Sequence, residues 1–231
     1  MPVRRPGSRA RGRGGRVVRR PADLQPLRPG GRRRHGVPRL RVPPADALSW
    51  RLTVADDEAV LALRVAGRPL HRRPYRAHSV PGSVHPPLAA ALVRLAGVEP
   101  GMTVLDPCCG AGTLLLESPG LRLGVDASLD ALACARANGL AALTHADAGH
   151  LPVATGSVDR VLVNPPWGRQ VEARAGLATS PARLWYETGR VLRPDGLAAA
   201  LLPEPEVSGL RTKTAMPIRI AGRPAFLVLL A

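Results

Sequence analysis

Between residues 103 and 164 the chain repeats one pattern four times: a short apolar run that stops at or just before a polar or acidic residue. The runs are 103–105 before Asp106, 121–125 before Asp126, 142–144 ahead of Asp147, and 158–163 before Asn164. Continuous apolar runs of this length read as strands buried on both faces. Helical stretches separate them. Thr113 opens a short one, and Ser128 is placed to cap another that Asn138-Gly139 stops. Residues 181–192 read as a further helix. The turn Arg193-Pro194-Asp195-Gly196 then leads into a strand over 197–202, and two strands near 218–220 and 225–230 form a hairpin. Alternating β and α predicts an α/β fold: a doubly wound, Rossmann-like sheet, mostly parallel, with a C-terminal β-hairpin. The polar groups at the strand ends stand at the edge where open α/β sheets bind ligands.

The upstream half is built differently. Residues 1–44 are mainly Arg, Gly and Pro, and such a segment cannot bury enough apolar surface to offset its ordering entropy, so a disordered tail is expected. Residues 1–41 hold 14 Arg against one acid, Asp23, whereas the remaining 190 residues hold 19 basic and 16 acidic ones. The high net charge therefore belongs to the tail. Clustered Arg fits a nucleic-acid arm that displaces phosphate counterions; it equally fits a solvated, compositionally biased segment. Residues 48–65 alternate apolar and polar on either side of Ala55-Asp56-Asp57-Glu58, which predicts two short strands around a turn. After a Pro- and Gly-punctuated loop over 74–84, Pro86 and Pro87 can fill the first turn of a helix whose apolar stripe is Leu88, Ala91, Leu92 and Leu95.

Three cysteines, Cys108, Cys109 and Cys134, offer neither a disulfide framework nor a CxxC metal pair, so no metal is expected and a reducing cytoplasm fits. No secretory signal follows the basic start, and no run reaches the roughly 20 apolar residues of a membrane span, so a soluble protein is expected. Oligomeric state is left open.

Asp106-Pro107-Cys108-Cys109-Gly110-Ala111-Gly112-Thr113 joins a strand to a helix. Gly110 and Gly112 allow close backbone approach and φ > 0, and a helix N-terminus offers N–H groups to a carboxylate. A nucleophilic cysteine here would need a positioned base, and none is visible. The pattern DPxxGxGT resembles motif I of the class I S-adenosylmethionine-dependent methyltransferases. That resemblance implies S-adenosylmethionine as cofactor, with Asp106, Pro107, Gly110, Gly112 and Thr113 around its methionine part. It also implies Asp126 on the ribose hydroxyls and Asp147 at the adenine amine. The alternative for any one acid is a strand-end cap.

Asn164-Pro165-Pro166-Trp167 follows the fourth run. An exocyclic amine is a poor nucleophile because its lone pair is delocalised. Acceptors at the Asn164 side-chain oxygen and the Pro165 carbonyl would pull the nitrogen toward tetrahedral geometry and stabilise developing positive charge. Pro165 and Pro166 stiffen the loop, and Trp167 offers a stacking face worth roughly 1–3 kcal/mol per base. The motif resembles that of amino-methyltransferases acting on exocyclic amines of bases or on a glutamine amide.

The stretch 70–76, with His71, Arg72, Arg73 and Arg76, together with 81–92 and 164–170, resembles the THUMP-associated RNA guanine-N2 methyltransferases, over roughly residues 50–231. This implies a methyltransferase domain over 76–231, preceded by the tail (1–44) and a strand pair leading into the domain (45–75). It implies RNA, most specifically tRNA, as partner and guanine N2 as acceptor. Arg72, Arg73 and Arg76 read as phosphate contacts, with a solvated basic loop as the alternative. The family's RNA-gripping THUMP domain would precede residue 50, where 49 residues stand, so a chain without it is expected. Methylation of DNA or of a protein glutamine, and a catalytically silent cofactor-binding partner, are the alternatives.

Overall fold

The computed structural model describes residues 49–55, 58–64, 69, 71–166 and 176–231. The expected disordered tail and Trp167 lie outside them. The chain divides into two units, residues 1–68 and 69–231. In the first, β1 (Ser49–Ala55) and β2 (Glu58–Arg64) form the expected antiparallel pair. Its register sets Trp50 opposite Leu63, Leu52 opposite Leu61 and Val54 opposite Ala59, which gathers Trp50, Leu52, Val54, Leu61 and Leu63 on one face and leaves Val60 on the other.

The second unit holds α1 (Pro86–Leu95), β3 (Thr103–Asp106), α2 (Thr113–Leu116), β4 (Leu121–Asp126), α3 (Leu129–Ala137), β5 (Leu143–His145), β6 (Val158–Val163), α4 (Gly176–Thr179), α5 (Ala182–Val191), β7 (Leu192–Leu202), β8 (Thr212–Ile220) and β9 (Arg223–Leu230). The sheet order is β5-β4-β3-β6-β7-β9-β8. The first five strands in this order are parallel, and β9 pairs antiparallel with both β7 and β8. The chain works outward from β3 to β5, then returns to start again at β6. The crevice therefore opens between the C-terminal ends of β3 and β6.

The strands read as unbroken apolar runs because the sheet is covered on both sides. Val104, Leu162, Ala199 and Leu201 point into one core, with Ala89 and Leu92 of α1 and Leu132 and Ala135 of α3. Their neighbours Leu105, Val161, Val163, Ala198 and Ala200 point into the other, with Leu184, Trp185 and Val191 of α5.

Three details differ from the sequence reading. On α1 the buried residues are Pro86, Ala89, Leu92 and Val93, followed by Ala96, and Ala91 is exposed. The sets 88/91/92/95 and 89/92/93/96 have the same period, so periodicity fixed the pattern and packing chose its phase. The turn Arg193–Gly196 does not precede β7 but is an excursion within it: Leu192 pairs with Val158, and the ladder resumes with Leu197 opposite Arg160. Last, β8 starts at Thr212, six residues earlier than expected. It is an edge strand, so it tolerates exposed polar residues and Pro217, which obscured it in the sequence. The hairpin closes through Ala221 and Gly222, both at positive φ (48° and 81°), the conformation that tight two-residue hairpin turns require.

Candidate active site

Strand ends place the polar residues and backbone N–H groups hold them. Asp106, the last residue of β3, is 1% exposed and accepts a hydrogen bond from the Cys108 N–H at 3.0 Å. Burial pushes its carboxyl well above the usual carboxylate range. Asp126, the last residue of β4, uses both oxygens: Oδ2 accepts from the Gly110 N–H at 2.8 Å and Oδ1 from the Ser128 N–H at 2.9 Å. One carboxylate thus ties the glycine loop to the start of α3, whose first turn Ser128 caps by accepting from the Ala131 N–H. Cys109 N–H donates to the Val125 carbonyl at 2.9 Å, a second stitch between the two strand ends. Asp147 lies two residues past β5 and accepts from the Gly149 N–H at 2.8 Å.

The glycines are required where they stand. Gly110 has φ 54° and Gly112, which precedes α2, has φ 81°. A Cβ on Gly112 would lie 2.3 Å from Leu140 Cδ1. Pro107 and Thr113 are buried, Thr113 as the first residue of α2. Burial, with the carboxylates of Asp106 and Asp126 nearby, pushes the thiols of Cys108 and Cys109 well up, so neither is a ready nucleophile.

Asn164 stands one residue past β6, with Pro165 and Pro166 after it. Its side-chain amide donates to the Gly82 carbonyl at 3.1 Å. That bond fixes the orientation of the amide and leaves Oδ1 as the acceptor. A cavity of about 350 Å³ opens beside the two prolines, walled by Leu184, Trp185 and Leu202 and bordered by Glu204 and Glu206.

Asp106, Asp126 and the loop between them form one bonded unit. Asp147 and Asn164 share the same sheet edge but are held by other partners. Sequence reasoning missed a clasp that ties the glycine loop and the segment around His78 to the end of α3. Asn138 caps the C-terminal end of α3, and its amide donates to the carbonyls of His78 and Ala111, both at 3.0 Å, while the His78 N–H donates to its Oδ1 at 2.9 Å. The pair Asn138-Gly139 signals a helix stop, but nothing local marks a contact 60 residues away. Arg73, expected near phosphate, is bound to Glu117 through Nε at 2.7 Å, and Tyr75 donates to the same carboxylate at 2.5 Å. Two of the three guanidinium nitrogens of Arg73 are thus engaged by Glu117.

The sheet order, the glycine loop and the strand-end acids define a class I S-adenosylmethionine-dependent methyltransferase domain. Known proteins agree. The RMKL-like methyltransferase domain matches residues 73–124, and a general methyltransferase domain matches residues 105–200. The chain is 38% identical over 213 residues to a tRNA (guanine(6)-N2)-methyltransferase of Thermus thermophilus, covering 85% of this chain and 60% of that protein. It is 42% identical over 71 residues to a ribosomal RNA large subunit methyltransferase K/L of Photobacterium profundum, covering 31% of this chain and 10% of that one. Among solved structures it is similar to TrmN from Thermus thermophilus, with a TM-score of 0.62 and 31% identity, over 79% of this chain and 59% of that one. The fold alone is shared with SMU.472, solved with SAH, at a TM-score of 0.61 and 16% identity, over 79% of this chain and 61% of that one. The chain thus spans about 60% of the length of the first curated relative it matches. Among the described residues no helix is long and apolar enough to cross a membrane.

Proposed function

We propose that this protein transfers a methyl group from S-adenosylmethionine to an exocyclic amine of RNA, with guanine N2 of tRNA as the acceptor, and that it works in the cytoplasm. One observation carries the amine chemistry: the Asn164 amide is pinned by the Gly82 carbonyl with its oxygen left to accept. The tRNA and guanine parts rest on the named Thermus relative.

The crevice suits the cofactor. Gly110 and Gly112 hold the loop open at positive φ, on a path that a side chain at Gly112 would force off Leu140, and among the described residues the buried Asp106 carboxyl is bonded to the Cys108 N–H and to no cation. Asp106 with the main chain of Gly110 and Gly112 would hold the cationic methionine part, with Pro107 and Thr113 shaping the loop. Asp126 would hold the ribose and Asp147 the adenine. When bound, the cofactor supplies an electrophilic methyl on a sulfonium. Asn164 Oδ1 and the Pro165 carbonyl accept hydrogen bonds from the substrate NH₂, localise its lone pair and stabilise the charge that develops as the N–C bond forms and the C–S bond breaks. Pro165 and Pro166 hold those acceptors without much ordering cost, and Trp167 supplies a stacking face for the base. The amine proton leaves after transfer, so no strong base is required beforehand.

The test is incubation with labelled cofactor and unmodified tRNA transcripts, followed by digestion. N2-methylguanosine is expected. Binding of cofactor with no label in any RNA would overturn the reading.

A further inference from the structure

The cavity beside Pro165 and Pro166 sets two carboxylates, Glu204 and Glu206, at the border of an otherwise apolar pocket. The loop that carries them, between β7 and β8, is anchored from within: the Thr212 hydroxyl donates to the Pro205 carbonyl at 2.9 Å, and Val207 packs against the core. Glu206 also borders the adjoining recess with Pro181, Trp185 and Ser208. Among the described residues neither carboxylate has a hydrogen bond or an ion pair, whereas Glu117, Asp159 and Glu187 are each matched with an arginine. A pair of negative charges with no cation matched to it among the described residues opposes phosphate at a surface that binds RNA. It is of use there only if it meets donors on a base.

The substrates open to a site with this asparagine-proline motif differ in what flanks the reacting amine. In guanine the N2 amine stands next to N1–H, a donor that points the same way. In adenine the N6 amine stands next to N1, in cytosine the N4 amine next to N3, and in a glutamine the amide nitrogen next to its own oxygen; all three neighbours are acceptors. An ionised carboxylate only accepts. It pairs with the guanine edge and faces a lone pair on each of the others.

We propose that the Glu204–Glu206 pair is the guanine-reading element of this site: it accepts from N1–H while Asn164 Oδ1 and the Pro165 carbonyl accept from the N2 amine. This rests on the amine-methylation reading above and adds the groups that select the base. Leu184 and Trp185 close the pocket on its apolar side and keep water from competing for those donors.

The experiment uses the full chain, S-adenosylmethionine and a tRNA transcript that yields N2-methylguanosine. The transcript is remade with 2-aminopurine at the methylated position. This base keeps the 2-amine but presents a bare acceptor at N1. The wild-type protein is expected to prefer guanine by roughly 10- to 100-fold in kcat/KM. The double variant Glu204→Gln/Glu206→Gln, whose amides can donate to that acceptor, is expected to compress the preference roughly tenfold. Its affinity for S-adenosylmethionine should be unchanged, which also reports that it is folded. A double variant that keeps the wild-type rate and preference overturns the proposal and leaves the methylation reading standing. Label found on adenine, cytosine or a glutamine overturns it as well. If no RNA is labelled although cofactor binds, the methylation reading fails and the proposal goes with it.

Discussion

The two halves of the sheet edge solve different problems. On the β3–β4 side the acids and glycines are locked together by the chain's own backbone: Asp126 bridges Gly110 and Ser128, and Cys109 is stitched to Val125. This half is held in shape by the chain's own hydrogen bonds. On the β6–β7 side the proposed acceptor groups are few and open, with Asn164 held by one bond to Gly82 and Glu204 and Glu206 left exposed at the rim. A small invariant cofactor suits the first arrangement, because a rigid cradle loses little entropy on binding. A base that must enter from a folded nucleic acid suits the second.

If the halves divide the work in this way, damage to one should leave the other intact. The largest separation is expected from Asn164→Ala. Its kcat should fall on the order of 10²- to 10³-fold, the loss typical of removing one preorganised electrostatic contact. Cofactor affinity by calorimetry should not move. A matching loss of cofactor affinity would show that the halves are not separable. Asp106→Asn is the reciprocal experiment. Removing one partner of a buried charge pair costs about 2–5 kcal/mol of binding. Cofactor affinity should therefore drop by roughly 30-fold or more, and turnover at saturating cofactor should recover in part.

Gly112→Ala probes the cradle through stability. The positive φ and a Cβ 2.3 Å from Leu140 force the loop or the leucine to shift. Together they should lower unfolding free energy by about 2–4 kcal/mol in a denaturant titration. A smaller change would mean that the loop adapts easily.

The smallest effect is a pH dependence. Because burial raises the Asp106 pKa in the folded protein, its protonated form is favoured there. Its contribution to the stability of the cofactor-free protein is present at low pH and is lost as pH rises through the folded pKa. A cation beside the carboxyl draws the pKa back down, so cofactor binding should release a proton and tighten as pH rises through that range. Calorimetry in two buffers of different ionisation enthalpy reads the proton. Uptake instead of release would contradict the placement of the methionine part at Asp106.

Much of the fold was legible in the chain. Strands buried on both faces declare themselves as unbroken apolar runs, and each ended where its polar terminator predicted, at Asp106, Asp126 and Asn164. Ser128 was readable as a cap because capping is a contact three residues long. The edge strand β8 was largely hidden, since half-solvated strands lack the apolar signal. Arg73 looked like one of three equivalent arginines until Glu117, 44 residues on, was found against it.

The local chemistry of the proposed site was therefore set by the sequence: which residues end strands, where glycine must take φ > 0, and where acceptors line a stiff proline turn. These depend on steric and hydrogen-bonding rules that act within a few residues. Only the tertiary structure decided which face of α1 is buried, that Asn138 joins three segments, that Gly82 orients Asn164, and that Glu204 and Glu206 border the pocket of Pro165 and Pro166. Those contacts join residues tens of positions apart, and their partners are selected by sheet order and packing, which no local pattern encodes.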